Sequence, residues 1–231
     1  MIADQILYED NHLIVVNKLA GQLVQGDKTG DQALVDELKL FIKQRDAKPG
    51  NVFCGVVHRI DRPVSGVVIF AKTSKALARM NAIIQDRQFK KTYWAVTKNR
   101  PAVEAGTLRD WLYRDERLNR SFVVDHEANT PRARQAKLAE LDYRLLATSE
   151  GGYHLLLVDL HTGRHHQIRC QLANMGCPIK GDLKYGAPRS NPDGSISLHA
   201  RSVEFEHPVA HTTIAITAPC PQIENMFAAI N

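Results

Sequence analysis

Residues 56–72 read V-V-H-R-I-D-R-P-V-S-G-V-V-I-F-A-K, an apolar strand that breaks into charge and then resumes as a second apolar strand. A loop held between two buried strands is a rigid mount for a reacting carboxylate. His58, Arg59, Asp61 and Arg62 set one acid among two guanidiniums, and Pro63, Ser65 and Gly66 supply the turn chemistry that aims it. An R-x-D-R run by itself is better explained as a structural ion pair. A lone acid between apolar strands, however, must be stabilised by specific cations, and such perturbed groups concentrate at active sites. Asp61 is therefore the candidate reacting group.

Upstream of this loop, residues 6–9 and 13–17 read as a hairpin turning at Asp10-Asn11. Asn17-Lys18-Leu19-Ala20-Gly21 then forms a candidate binding loop, residues 22–30 are polar, and Leu34, Leu38 and Phe41 recur at helical spacing from Asp31. Downstream, residues 67–71 are a strand, and Thr73-Ser74 caps a helix with the apolar stripe Leu77, Met80, Ile84. Residues 89–97 alternate as a strand, with Lys91, Tyr93 and Ala95 on one face and Thr92, Trp94 and Val96 on the other. Residues 98–135 read as a β excursion with long surface loops, and 136–147 as a strand in spite of a helix-like composition.

The strand 154–160 ends in H-T-G-R-H-H-Q-I-R, residues 161–169, where Gly163 allows a sharp turn into a helix spaced by Ile168, Leu172 and Met175 and stopped at Gly176. Arg169 lies about 100° around that helix from Ile168, so it is expected to leave the buried stripe and reach a neighbouring cleft. Residues 180–188, K-G-D-L-K-Y-G-A-P, read as a basic loop, 198–205 and 212–217 as strands, and 223–230 as a short helix.

At 231 residues and 44% hydrophobic content the chain can bury a sizeable core, and with no repeat or linker a single domain over 1–231 is expected. Its net charge of +5 is uneven: residues 1–50 carry −2, whereas 79–100 carry +5 and 161–189 carry +4. The basic segments coincide with the motifs, which fits a polyanionic partner. No apolar run approaches the roughly 18 residues of a membrane helix and the first residues lack signal-peptide character, so a cytoplasmic protein without a membrane partner is expected. Cys54, Cys170, Cys177 and Cys220 form no C-x-x-C pair and are expected as buried, reduced thiols.

Several chemistries are disfavoured. His161 and His165 have the i, i+4 spacing of zinc helices, but a glycine separates them and no glutamate follows His161, so no metal site is expected. His58-Arg59-Ile60-Asp61 and residues 68–72 look like kinase fragments, yet in the wrong order and without G-x-G-x-x-G or D-F-G. With no P-loop or dinucleotide fingerprint, neither a nucleotide nor a redox cofactor is expected. A hydrolytic glycosidase usually needs two acids, and one well-placed acid is evident.

The combination of an Asp turn, a Tyr strand and an Arg helix start resembles the RluA family of pseudouridine synthases, over residues 6–219. His58-Arg59-Ile60-Asp61 through Ser65-Gly66 is similar to the family's H-R-L-D-x-x-T-S-G signature. Lys91-Thr92-Tyr93-Trp94-Ala95 resembles its K-x-Y-x-A strand, and residues 162–169 its T-G-R-x-H-Q-[IL]-R turn. Val64 stands where threonine is usual, Leu19 replaces a proline, and Cys170-Gln171 follow Arg169 where a histidine often sits two places on.

The resemblance implies an α/β (α+β) catalytic domain around a central, mostly antiparallel sheet, acting without a cofactor on rRNA or tRNA; with no coiled coil or self-association stripe in the sequence, a monomer is expected. Many relatives carry an N-terminal S4 RNA-binding domain, which this sequence is expected to lack, so that RNA contacts come from the catalytic domain. It further implies Asp61 as the essential residue, either attacking C1′ of the uridine or removing a sugar proton in a glycal route, with Arg169 favouring its charged form. Tyr93 would pack against the base and help remove the C5 proton. Arg59 would fill the place that a flipped nucleotide leaves, and Arg62, Lys91, Arg164, His165, Gln167 and Lys184 would contact RNA. The competing reading is a non-catalytic RNA-binding or RNA-folding module on the same scaffold.

Overall fold

Val67, Ile69 and Ala71 point to one side of a strand and Val68 and Phe70 to the other, and all five are buried. The continuous apolar run is thus explained by helices on both faces. The structure, a computed structural model, describes residues 1–27 and 29–228.

In chain order the elements are β1 (Ile6–Glu9), β2 (Leu13–Lys18), α1 (Leu34–Arg45), β3 (Gly55–Val56), β4 (Ser65–Ala71), α2 (Ser74–Gln85) and β5 (Lys90–Thr97). There follow β6 (Ala105–Asp115), β7 (Arg120–Val124), α3 (Pro131–Gln135), β8 (Lys137–Thr148), β9 (His154–Leu160), α4 (Gln167–Asn174), β10 (Leu198–Glu206), β11 (Thr213–Thr217) and α5 (Pro221–Phe227). They form two compact units: Met1–Lys90 with Ala200–Pro219, and Lys91–His199 with Cys220 onward.

In the first unit β2 pairs antiparallel with β1 and β4, β3 pairs antiparallel with β4, and β4 adjoins β10, which pairs antiparallel with β11. Ile14, Val16, Val68 and Phe70 pack against Leu34, Leu38 and Ile42 of α1. Leu13, Val15, Val67 and Ile69 pack against Ala76 and Met80 of α2 on the other face. The Thr73 hydroxyl accepts from the Ala76 amide, the expected cap of α2. α1, in contrast, starts at Leu34 and not at Asp31, because the carbonyls of Leu23 and Val24 accept the amides of Leu34 and Val35. Backbone from the preceding segment supplies the cap that a side chain was expected to give. Lys28, within the polar stretch 22–30, lies outside the described residues.

In the second unit β9 pairs antiparallel with β5 and β8, and β6 pairs antiparallel with β8 and β7. The strand reading of residues 136–147 is borne out, because Ala139, Leu141 and Tyr143 alternate into the core. Val96 and, partly, Trp94 pack with Ile223 and Phe227 of α5. Three expectations change. The β excursion expected over 98–135 is present but with less loop than expected: β6 runs 11 residues and pairs along its length. The segment 180–188 is anchored by buried Asp182 and Tyr185. The last helix ends at Phe227, and residues 229–230 of the expected span lie outside the described residues. The two units are mixed α and β with mostly antiparallel pairing, and all four cysteines are buried thiols outside any disulfide.

One backbone approach in the first unit permits no side chain. Gly66 has φ +118°, and a Cβ there would lie 2.3 Å from the Ala200 carbonyl oxygen. Gly66→Ala is expected to lower stability by about 3 kcal/mol or more, read as a fall in the denaturant midpoint. An unchanged midpoint would contradict the close approach of β4 to β10.

Candidate active site

The Asp61 loop is assembled from main-chain polar groups and one buried cation. It connects β3 to β4, and the Val64 amide donates to the Asp61 carbonyl (3.0 Å), closing a turn over Arg62 and Pro63. Lys18, at the end of β2, is fully buried. Its Nζ donates to the carbonyls of Leu19 (3.0 Å), Gln22 (2.9 Å) and Arg62 (3.1 Å). Those three acceptors match the three donors of an ammonium and bind the loop after β2 to the loop of Asp61. Burial pushes the Lys18 ammonium down to about 7, while the charge of Asp61 opposes the shift.

The same two loops are laced a second time. The Gly21 amide donates to the Arg62 carbonyl (2.8 Å), and Arg62 Nε donates to the Gly21 carbonyl (3.0 Å). The exposed Arg62 guanidinium also pairs with Asp31 at 2.7 Å. His58 Nε2 accepts from the Ile69 amide (3.3 Å) and so ties the start of the loop to β4. Arg59 is exposed.

The other sequence-selected residues fall in the second unit. Tyr93 is buried on β5 opposite Val158, on the same face as Lys91. Burial lowers the Lys91 pKa. Its Nζ lies beside Gly163, 3.5 Å from where a Cβ there would stand, which is ordinary contact distance.

The turn 161–167 is held by Gln167. Its side-chain oxygen accepts from the Thr162 hydroxyl (2.8 Å) and the Arg164 amide (3.0 Å), and its NH₂ donates to the Glu140 carbonyl (3.0 Å). Gln167 is buried, so it clasps the turn and does not face a partner. The left-handed residue of this turn is His166, with φ +50°, where Gly163 was expected. Arg164 and Lys184 are exposed. Arg164 Nε donates to the Leu138 carbonyl and Lys184 Nζ to the Asn119 carbonyl. The half-buried His165 shares contacts with Ser121 Oγ (2.9 Å) and Asn119 Oδ1 (3.0 Å).

Arg169, expected to leave the buried stripe for a neighbouring cleft, is itself buried. It is 5% exposed, and its Nε and Nη2 donate to the two carboxylate oxygens of Asp182 at 2.7 and 2.8 Å. The guanidinium also lies over the Tyr185 ring, 5.1 Å from its centre. Tyr185 completes the arrangement. Its hydroxyl accepts the Ser121 amide (2.8 Å) and faces His166 Nδ1 at 3.0 Å. Burial, then the charge of Arg169, hold His166 neutral, its pKa pushed down to about 2. Burial also raises the Tyr185 phenol to about 12.

Asp182 and Tyr185 were not singled out by sequence, and Lys18 only as one member of the candidate binding loop 17–21. The signals available were a lysine closing an apolar strand, and an acid and an aromatic two and five residues past Lys180 in an apparently polar loop. Among the described residues no group of three or more His, Cys, Asp or Glu is placed to hold a metal ion.

The sequence profile of a family described as RNA pseudouridylate synthase matches residues 12–174. An uncharacterised RNA pseudouridine synthase of Chlorobaculum parvum is 32% identical over 237 residues, covering 94% of this chain and 71% of that protein. One of Bacillus subtilis is 30% identical over 219 residues, covering 94% and 68%. The ribosomal large subunit pseudouridine synthase C of Rickettsia prowazekii is 29% identical over 224 residues, covering 96% and 69%. The solved structure of human RNA pseudouridylate synthase domain containing 4 superposes with a TM-score of 0.79 at 24% identity, covering 96% of this chain and 90% of that one. That likeness shows the fold.

Lys18→Met leaves three carbonyls without their donor, and a loss of about 3 kcal/mol is expected in chemical denaturation. His166 supplies a pH test. The unfolded chain binds a proton at this histidine below about pH 6.5 and the folded chain does not, so its stability contribution falls as pH falls through that value. Between pH 7.5 and 5 the wild type should lose about 2 kcal/mol more than His166→Asn, a residue that tolerates positive φ. Equal pH slopes in the two proteins would mean that His166 is not held neutral.

Proposed function

The chain belongs to the RNA pseudouridylate synthase family, of the RluA kind, and on that footing we propose that it isomerises uridine in structured rRNA or tRNA with Asp61 as the reacting carboxylate. The reaction breaks the bond from C1′ to N1 of uracil and forms one from C1′ to C5. The C5 proton leaves and N1 takes up a proton, so atoms balance without a redox partner or an energy source.

The observation that carries this reading is the bracing of the Asp61 loop: Lys18 and Arg62 tie it to the loop after β2 through four hydrogen bonds, all of them to main-chain carbonyls of residues 21, 22 and 62. A loop so held can keep a carboxylate in register with a sugar carbon. Asp61 acts by attack on C1′ or by taking a sugar proton. Tyr93 packs against the uracil and assists removal of the C5 proton, within a pocket that excludes water. Arg169, its planar head fixed by Asp182, supplies a permanent positive charge. Arg59, exposed on the Asp61 loop, fills the stack that the flipped nucleotide leaves. Arg62, Lys91, Arg164, His165 and Lys184 contribute positive or polar surface toward RNA in a cytoplasmic monomer.

The test is carbodiimide mapping of pseudouridine across rRNA and tRNA from host cells lacking this protein, complemented with wild type or with Asp61→Asn. A stop that returns only with wild type is expected, and purified Asp61→Asn should convert that RNA at least about 10³-fold more slowly while binding it normally. Identical maps in all strains, with RNA binding intact, would favour the non-catalytic module.

A further inference from the structure

A cleft of about 280 Å³ opens in the second unit between the β6–β7 hairpin, the start of β8 and the turn after β9. Its lining includes Arg114, Lys137 and Arg164, and contains no aspartate or glutamate. The register explains why these charges converge. Lys137 pairs with Leu112 and Ser121 with Arg114, and residues directly opposite in a sheet share a face, as do residues two apart on one strand. Leu112, Arg114, Ser121 and Lys137 therefore point to one side of the sheet. The turn covers that side: Ser121 Oγ donates to the His165 carbonyl at 2.6 Å, and Arg164 is anchored by Nε to the Leu138 carbonyl at 2.9 Å.

The three cations differ from their neighbours. Arg109 pairs with Glu140, Arg120 lies over the rings of Phe122 and Tyr185, and Arg132 over those of Tyr113 and Phe122. Arg114, Lys137 and Arg164 have neither a carboxylate nor a ring partner among the described residues. Three like charges converging on one small cleft repel one another, an arrangement that becomes favourable when an anion enters. Their field is felt inside the protein, where Arg114 is among the charges that help keep His166 neutral. Gly163, on the cleft wall, is also the residue against which Lys91 Nζ lies, two positions from Tyr93 on the same strand face.

We propose that this cleft is a phosphate subsite, in which Arg114, Lys137 and Arg164 hold a backbone phosphodiester of the RNA near the nucleotide that Tyr93 receives. The proposal rests on the RNA reading above and adds to it Arg114 and Lys137, which no motif marks. A cleft of this volume lies at the small end of ligand sites and suits a phosphate with its sugar. Its contacts would position the strand without reading its sequence. Arg164 offers the fork that matches two phosphate oxygens, whereas Lys137 acts as a point charge.

The test uses the full chain and a fluorescein-labelled RNA stem-loop with an all-uridine loop, titrated at several salt concentrations. Arg114→Gln with Lys137→Gln should weaken binding roughly tenfold and lower the slope of log affinity against log salt by about 1. Methylphosphonate linkages placed singly through the loop should weaken wild type at one or two positions, and the double variant at none of these. Lys39→Gln with Lys43→Gln on α1 removes the same charge elsewhere and should leave affinity within about twofold of wild type. Wild-type affinity and salt slope in the cleft variant would overturn the subsite, as would an equal loss in the α1 variant, which would mark a diffuse charge effect. Both cleft residues are exposed, and an unchanged melting temperature verifies that the variant is folded.

Pseudouridine formation is scored separately. A cleft effect on binding with no isomerisation by wild type would sink the catalytic reading and leave the subsite standing. Isomerisation with no cleft effect would do the reverse.

Discussion

A buried ammonium must find acceptors for its protons or give up its charge, and Lys18 finds three in main-chain carbonyls. Two of these belong to the loop that Lys18 itself opens, and the third belongs to the residue after Asp61. The ammonium therefore works as a three-way tie whose geometry is set by backbone, which moves less than side chains do. Gly66 sits opposite Lys18 in the β2–β4 ladder, and its bare Cα lets β10 close on the far side. The position of Asp61 thus depends on one cation and one missing methyl group.

The second unit reaches rigidity by a different route, through charge neutralised in place. Asp182 uses both oxygens on Arg169, and the Tyr185 ring covers the guanidinium. Burying such a pair is weak evidence for stability, because desolvation offsets much of the attraction. Its value lies in geometry, since a planar fork on a two-oxygen acceptor has one arrangement. The hydroxyl of Tyr185 then carries the constraint onward to Ser121 and His166, and so joins the hairpin, the turn and the start of α4 in one network.

Much of this was legible in the sequence. Apolar runs and alternation located the strands at 67–71, 89–97 and 154–160, and the Thr73 cap fixed the start of α2, because each is a local signal. What failed was non-local. α1 takes its cap from the carbonyls of Leu23 and Val24, which no helix-start rule can see. β6 is a long regular strand despite its charges, because its neighbours β7 and β8 pair along it. Asp182 and Tyr185 sit in what reads as a basic loop, and only the burial of Arg169 explains why an acid and an aromatic belong there. Gln167 reads as a surface group within a basic motif and is instead the clasp of its own turn.

The chain order of the first unit has a consequence for synthesis on the ribosome. Its sheet includes β10 and β11, drawn from Ala200–Pro219, while the residues between Lys90 and Ala200 build the other unit. The second unit in turn receives α5, from the residues after Pro219. Neither unit can finish its core until almost the whole chain has emerged. β4, apolar on both faces, must wait as a nascent strand with most of one edge unpaired for more than a hundred residues of elongation, about 7–25 s at ordinary translation rates.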